Sequence, residues 1–331
     1  MYTNTIDILE DNILQRYPKT LDILLIDHTM TRAKGKKWNI FWATHDYEYL
    51  DKGFMYFDQI FPENITGEHG QIIQPRTCKK KETQLSRSRD KAEVFTPSWI
   101  CNAQNNLIDN AWFGREDVFN TENDDHTWAE SSKPIIFPEG KTWKDYVCDT
   151  RIEITCGEAP YLASRYDTVT GEFIPIKHRI GLLDRKLRVV SENCNTTGEW
   201  LKGAQSAYKS IYGYEWQGDS LLIARETLLY TFIEYFRQKF GKDPLPKSIN
   251  FIAYIISWNL WQMDGVKCVV PNSCEQPMIH ITTEGDVLKP NPCEGCRTGN
   301  IRKHNGIHCL IRNWKEKRKD KQIESFVKSI I

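Results

Sequence analysis

Residues 152–162 read Ile-Glu-Ile-Thr-Cys-Gly-Glu-Ala-Pro-Tyr-Leu, and this stretch constrains the fold more than any other. An apolar-rich start runs into a small-residue turn at Cys156-Gly157. A parallel strand ends in this way when it hands its backbone to a ligand, because glycine lets the main chain approach closely. Downstream, Trp200, Leu201, Ala204, Ala207, Tyr208 and Ile211 recur at helical spacing. Residues 210–216, Ser-Ile-Tyr-Gly-Tyr-Glu-Trp, then read as the second strand of a nucleotide fold. Asp219-Ser220 caps the next helix, whose stripe runs from Leu221 to Phe236 and which Gly241 stops. A further helix spans 247–258, with Ile249, Ile252, Ala253 and Ile256 inward. The expected class is α/β.

Upstream lies Phe95-Thr96-Pro97. Thr96 is a good N-cap, and Pro97 suits the first position of a helix that carries Trp99, Ile100, Ala103 and Leu107. Phe-Thr-Pro before a helix, followed later by the Cys-Gly turn, resembles the motif order of adenine-N6 DNA methyltransferases. Their first motif has the form Asp-Pro-x-Cys-Gly-x-Gly-x-Phe-Leu. Glu153 stands at the Asp, Ile154 at the Pro, Cys156-Gly157 at the Cys-Gly and Tyr161-Leu162 at the Phe-Leu. Ala159 replaces the second Gly, and residues 167–198 form an insertion before the next motif. The segment from Tyr212-Gly213-Tyr214-Glu215 onward resembles the second motif, and 259–265 resembles the third.

The resemblance implies a Rossmann-like core binding S-adenosylmethionine, with Phe95, Thr96, Pro97, Glu153, Cys156, Gly157, Glu215, Trp216 and Asp264 around it. Glu215 would accept from the ribose hydroxyls, Trp216 would pack on the adenine, and Asp264 would accept from the adenine amine. A link to restriction–modification, DNA as substrate and a second subunit as partner follow from the same resemblance. The expected organisation is a β-rich N-terminal region with a basic connector over 1–90, the methyltransferase core over 91–270 and a Cys-rich tail over 271–331.

In the N-terminal region, 21–27 and 38–43 read as short strands. Residues 76–91 read as a flexible basic connector, with Arg76, Lys79, Lys80, Lys81, Arg87, Arg89 and Lys91 able to contact phosphates. The formal net charge is +0, so any DNA contact needs such a local stripe. The apolar fraction is 40% and the mean hydropathy −0.55; no run is long enough to span a bilayer. The N-terminus shows no charged leader followed by an apolar stretch, so a cytoplasmic location is expected. Ten cysteines in that setting point to reduced thiols or metal ligation. In the tail, Cys293-x-x-Cys296 can bite a zinc ion from one turn, with Cys274 and Cys309 completing a tetrahedron. Cys268, His304 and His308 are spare ligands.

The catalytic motif of the resembled family, Asn/Asp/Ser-Pro-Pro-aromatic, holds the flipped adenine. The chain contains no Pro-Pro dipeptide. Asn259 and Trp261 are the nearest substitutes, and 24–29, Leu-Leu-Ile-Asp-His-Thr, is a poor permuted version. Three functions therefore compete: a methyltransferase subunit with a divergent or partner-supplied motif, a non-catalytic cofactor- and DNA-binding subunit, and a restriction endonuclease. The last would use Glu139-Gly140-Lys141 with Asp124 or Asp125 to hold a divalent metal.

Overall fold

The computed structural model describes residues 9–91, 93–282 and 285–330, with the backbone alone for 278–282 and 285–287. The N-terminal stretch on which the leader expectation rests lies largely outside the described residues. The chain begins with α1 (Glu10–Arg16), α2 (Pro18–Leu24), α3 (His28–Lys34) and α4 (Pro62–Ile65). The connector follows as α5 (Lys81–Lys91), then α6 (Ser98–Phe113). A hairpin of β1 (Asn120–Glu122) and β2 (Trp128–Glu130) precedes α7 (Trp143–Cys148). The centre comprises β3 (Arg151–Glu153), α8 (Leu182–Asn193), α9 (Thr197–Lys209), β4 (Ile211–Glu215), α10 (Gly218–Phe240), α11 (Pro246–Asn259) and β5 (Leu260–Gln262). The tail carries the hairpin β6 (Met278–Thr282) and β7 (Gly285–Lys289), then α12 (Glu294–Thr298), β8 (Leu310–Arg312), β9 (Ile323–Ser325) and α13 (Phe326–Ser329).

Strands β3, β4 and β5 pair in parallel in that order, joined by helical crossovers. The ladder continues past the strands, with Cys156 N–H on the Tyr214 carbonyl at 2.8 Å and Met263 N–H on the Glu215 carbonyl at 2.9 Å. All three carboxyl ends therefore stay in register on one side of the sheet. The fold is mixed α/β, with helices dominating and small sheets. Among the described residues the parallel sheet is three strands wide.

The chain-order expectations for the central helices hold. Helix α10 is buried on nearly every face, which its stripe alone did not predict. Inside it Arg225 is fully buried. Its guanidinium donates to the carbonyls of Leu24 and Ile26 after α2, and of Ser257 and Leu260 at the end of α11. One cation thus satisfies carbonyls that two helix ends leave without intrahelical partners. Asp27 lies close enough to oppose that charge; burial lifts its carboxyl to about 6.

The N-terminal region is corrected from β-rich to helical. No strand lies between residues 9 and 90 among the described residues; isolated bridges join Ile26 to Asn39 and Phe41 to Gln59. Residues 21–27, expected as a strand, contribute to α2. Pro18 starts that helix, and Leu21, Leu24 and Leu25 fall on one helical face. That face joins the same apolar core as α10 and α11. The connector is also corrected: it contains helix α5, and three of its cations, Lys79, Arg87 and Lys91, are spent inside the protein, while Lys80, Lys81 and Arg89 stay exposed. Arg87 is buried and pairs with Asp46, Glu93 and Asp219; Lys79 meets Asp219 and Lys91 meets Asp46. No helix among the described residues is long and apolar enough to cross a membrane.

Glu10 of α1 and Glu226 of α10 are both buried, and neither carboxyl has a hydrogen-bond partner among the described residues. Burial pushes Glu10 up to about 8, and burial plus the Glu10 charge raises Glu226 well above the carboxylate range. Folding therefore favours the protonated form of each. The stability that Glu10 contributes is full below the ordinary value of 4.5 and is lost as pH rises through about 8; that of Glu226 has the same sign. Glu226→Gln is expected to stabilise the protein by about 1–3 kcal/mol at pH 8 and by much less at pH 5. Urea unfolding at the two pH values checks this.

Candidate functional site

A cleft of 1010 Å³ opens at the carboxyl ends of the three parallel strands. It is lined by Ile154–Gly157 after β3, Glu215–Gln217 after β4, and Met263–Val266 after β5. Phe95 and Thr96 close one side, just before α6. Four stretches far apart in the sequence thus meet at one place.

The turn after β3 is built by backbone strain. Gly157 has φ +53°, and a Cβ there would touch the Phe95 ring at 3.4 Å. Thr155 and Ala159 are also left-handed, at φ 46° and 62°. Ala159 therefore holds the conformation that a glycine would adopt without cost. The departure from the resembled motif changes the residue and keeps the glycine-like backbone. Glu153 fastens this turn from below, accepting from the N–H groups of Tyr161 and Leu162 at 3.4 and 3.2 Å. Burial raises its pKa well above the usual range, against those two bonds. Cys156 packs inward on Gly213 of β4, and burial pushes its thiol well up.

Glu215 faces the turn. One carboxylate oxygen accepts from Gly157 N–H at 3.0 Å and the other from Gln217 N–H at 3.2 Å. Burial raises its pKa against these bonds. A carboxylate has about four acceptor positions, so two remain for a ligand. Trp216 donates its indole N–H to the Tyr56 hydroxyl at 3.1 Å. Asp264 closes the turn after β5: one of its oxygens accepts from Val266 and Lys267 N–H, and the other faces Lys267 Nζ at 3.7 Å. Its Asp-Gly pair is thus both a turn and part of the cleft wall.

Phe95, Thr96, Glu153, Cys156, Gly157, Glu215, Trp216 and Asp264 all line the cleft. Pro97 does not; it precedes α6, and the first turn is instead fixed by Asp167, which accepts from Ser98 N–H at 2.7 Å. Sequence reading missed Thr44, His45, Tyr56 and Asn105, which also line it. No motif marks them, because long-range packing brings them there.

The substitutes for a catalytic motif are corrected. Asn259 is buried; its amide donates to the Tyr208 and Ile211 carbonyls and its oxygen accepts from Trp314. Trp261 is buried against Phe326, with its N–H on the Met263 sulfur. Neither lines the cleft. In the 24–29 stretch, Asp27 caps α3, and His28 stacks on Trp258 at 3.9 Å, also outside the cleft. The Glu139, Lys141, Asp124 and Asp125 set is exposed and does not form a metal-holding group among the described residues. Lys141 lies over the Trp112 ring instead.

In the tail, Cys274, Cys293, Cys296 and His304 bring their ligand atoms within 4.8 Å of one another, a group that could hold a metal ion. The predicted fourth ligand, Cys309, is corrected to His304. Cys309 is fully buried beneath β5, with its Sγ toward the Gln262 carbonyl at 3.4 Å. Cys268 lies in the same apolar cluster, and His308 Nε2 donates to the His304 carbonyl at 3.1 Å. All ten cysteines are free thiols. Burial opposes it, but the N–H groups of Asn305 and Cys296 and the His304 ring bring the Cys293 thiol down to about 6.

Comparison with protein-family models, with curated proteins and with solved structures finds no match to this chain.

The strained turn makes a direct prediction. Ala159→Gly relieves a left-handed alanine and is expected to stabilise the protein by about 0.5–1 kcal/mol. Denaturant unfolding of the single variant measures it; a destabilised variant would show that the alanine methyl matters more than the backbone.

Proposed function

We propose that the cleft binds S-adenosylmethionine and that the chain is a DNA adenine methyltransferase subunit of a restriction–modification system, with a Rossmann-like core. The observation that supports this reading is the convergence of Phe95-Thr96, Cys156-Gly157, Glu215 and Asp264 at the carboxyl ends of adjacent parallel strands. Open α/β sheets bind nucleotides at that edge. The residues present fit such a cofactor. Gly157 leaves room for close backbone approach, Glu215 keeps two acceptor positions at a strand end, and Asp264 offers a second acid across the cleft.

When bound, the cofactor supplies an electrophilic methyl group on a sulfonium. The chain's residues bind and orient. Glu215 accepts from vicinal hydroxyls, Trp216 offers an aromatic face, and Glu153 holds the turn rigid through Tyr161 and Leu162. A target amine would also need an acceptor for its proton and a face for the flipped base. Asn259 and Trp261 are committed elsewhere, so this proposal assigns that part to a partner chain. The spent cations Lys79, Arg87 and Lys91 favour the same division, since they leave Lys80, Lys81 and Arg89 as the exposed charges of 76–91. A zinc ion belongs to the proposal only as a structural element in the tail, outside the cleft.

Calorimetry with the cofactor tests the reading. The intact chain is expected to bind it, and Glu215→Gln to bind about 10–100-fold more weakly, the scale of a lost charge-assisted hydrogen bond. Absence of binding at millimolar cofactor would reject the proposal. In a tritiated-methyl assay on mixed-sequence DNA, the chain alone is expected to transfer little; robust turnover would reject the need for a partner.

A further inference from the structure

We propose that Cys274, Cys293, Cys296 and His304 form a closed zinc site, and that its ion fastens residues 264–270, the first three of which are cleft wall. The ligand geometry carries the first part. His304 Nδ1 faces three sulfurs at once: Cys274 at 3.6 Å, Cys293 at 3.5 Å and Cys296 at 3.7 Å. Tetrahedral zinc with Zn–S of about 2.3 Å and Zn–N of about 2.0–2.1 Å has an N-to-S edge of about 3.6 Å. The three Nδ1-to-sulfur distances lie close to that edge. Four protein ligands leave no open position, which marks a structural ion and not a catalytic one. Three thiolates and an imidazole select zinc over the hard cations.

The surroundings are built for the ion. Cys293 caps α12, and its Sγ accepts from Cys296 N–H at 3.4 Å and Asn305 N–H at 3.3 Å. Two such bonds favour the thiolate that a metal needs. Two glycines make room. A Cβ at Gly295 would sit 2.7 Å from His304 Nδ1, and one at Gly306 would sit 2.9 Å from Cys274 Sγ. Between residues 291 and 306 the only large aliphatic or aromatic side chain is Ile301. A segment with so little to bury gains its cohesion from a metal.

The second part follows from the backbone between the site and the cleft. Cys274 and His304 tie two chain segments together, and these segments pair next to the ligands. Val270 N–H bonds the Ile307 carbonyl at 2.8 Å, and Cys309 N–H the Cys268 carbonyl at 3.1 Å. Residues 268–270 in turn hold Asp264: its N–H bonds the Val269 carbonyl at 2.8 Å, and its carbonyl accepts from Cys268 N–H at 2.7 Å. Asp264, Gly265 and Val266 are cleft wall. Removing the ion frees the 291–306 segment and, through this ladder, loosens that wall. The effect on cofactor affinity rests on the reading of the cleft given above; the metal and the mobility of the wall do not.

Elemental analysis of the full-length chain, purified without chelator, is expected to give one zinc per chain. Cobalt exchanged into the site is expected to show thiolate charge-transfer and tetrahedral bands. Cys293→Ser and His304→Ala are expected to lose the metal, and Cys309→Ser to keep it if folded. Hydrogen exchange on the wild-type chain, before and after zinc removal, is expected to rise across 264–270, which needs no variant to fold. Cofactor affinity is expected to fall about tenfold on the same treatment, within the usual range of site-to-site coupling. A chain that neither carries zinc nor takes up zinc or cobalt overturns the site, as does iron in its place. Zinc retained by His304→Ala overturns the ligand set. Unchanged exchange at 264–270 after zinc removal overturns the fastening. Zinc and exchange as expected, with no cofactor binding in either state, would leave this inference standing and reject the cofactor reading alone.

Discussion

The cleft depends on one buried charge cluster. Asp219, in the first turn of α10, is fully buried. It meets Arg87 Nη1 at 3.0 Å, Lys79 Nζ at 3.4 Å and the Tyr47 hydroxyl at 2.8 Å. Although burial opposes it, Arg87 and Lys79 hold the Asp219 carboxyl well below the usual carboxylate range. The position suits an anion, because the N-terminus of a helix carries partial positive charge. Through Arg87 the cluster also engages Asp46 and Glu93, and Ser220 at 3.3 Å. The loop at 44–47, the connector helix and the start of α10 are thereby locked together. Thr44, Lys91, Glu93 and Ser220 are all cleft-lining residues, so the cluster sets one whole side of the cleft. A buried charge that loses its partner is strongly destabilising, which ties the shape of this side to the stability of the protein.

The opposite side is set by the sheet. Parallel pairing in register brings three strand ends to one edge, and the turns that follow them supply N–H groups and carboxylates at short range. Glu215 bridges two of those turns by accepting from Gly157 and Gln217. A ligand that draws on Glu215 would therefore act on both turns. The left-handed residues Thr155, Gly157 and Ala159 make the first turn tight enough for this bridge. Such strain persists only where the surroundings over-determine it, and it clusters at functional sites.

Two further buried groups hold the rest of the chain to this centre. Arg225 collects carbonyls from the ends of α2 and α11, so the N-terminal helices and β5 share one anchor. The tail docks through a second apolar cluster in which Tyr214, Trp261, Met263 and Cys309 meet Phe326. Cys309 serves there as a small apolar side chain, which explains why His304 takes its place in the Cys/His group.

Local patterns in the sequence determined strand β4, helices α9, α10 and α11, the stop at Gly241 and the Cys-Gly turn, because side-chain period, glycine and proline act over a few residues; α8, read only as an insertion, was not among them. The family resemblance marked part of the cleft: eight of the nine expected cofactor residues line it, with Pro97 outside. What the sequence could not decide was set by contacts between distant residues. Leu21 to Leu25 is an apolar run whose helical state is fixed by packing on α10 and α11. The connector looked like a phosphate-binding stripe, since the acids that neutralise it lie at 46, 93 and 219. Asn259, Trp261 and Cys309 are each of a residue type suited to chemistry, and burial against partners far along the chain assigns them to the core. The choice of His304 over Cys309 was likewise tertiary, because spacing alone does not say which side of a strand a thiol will face.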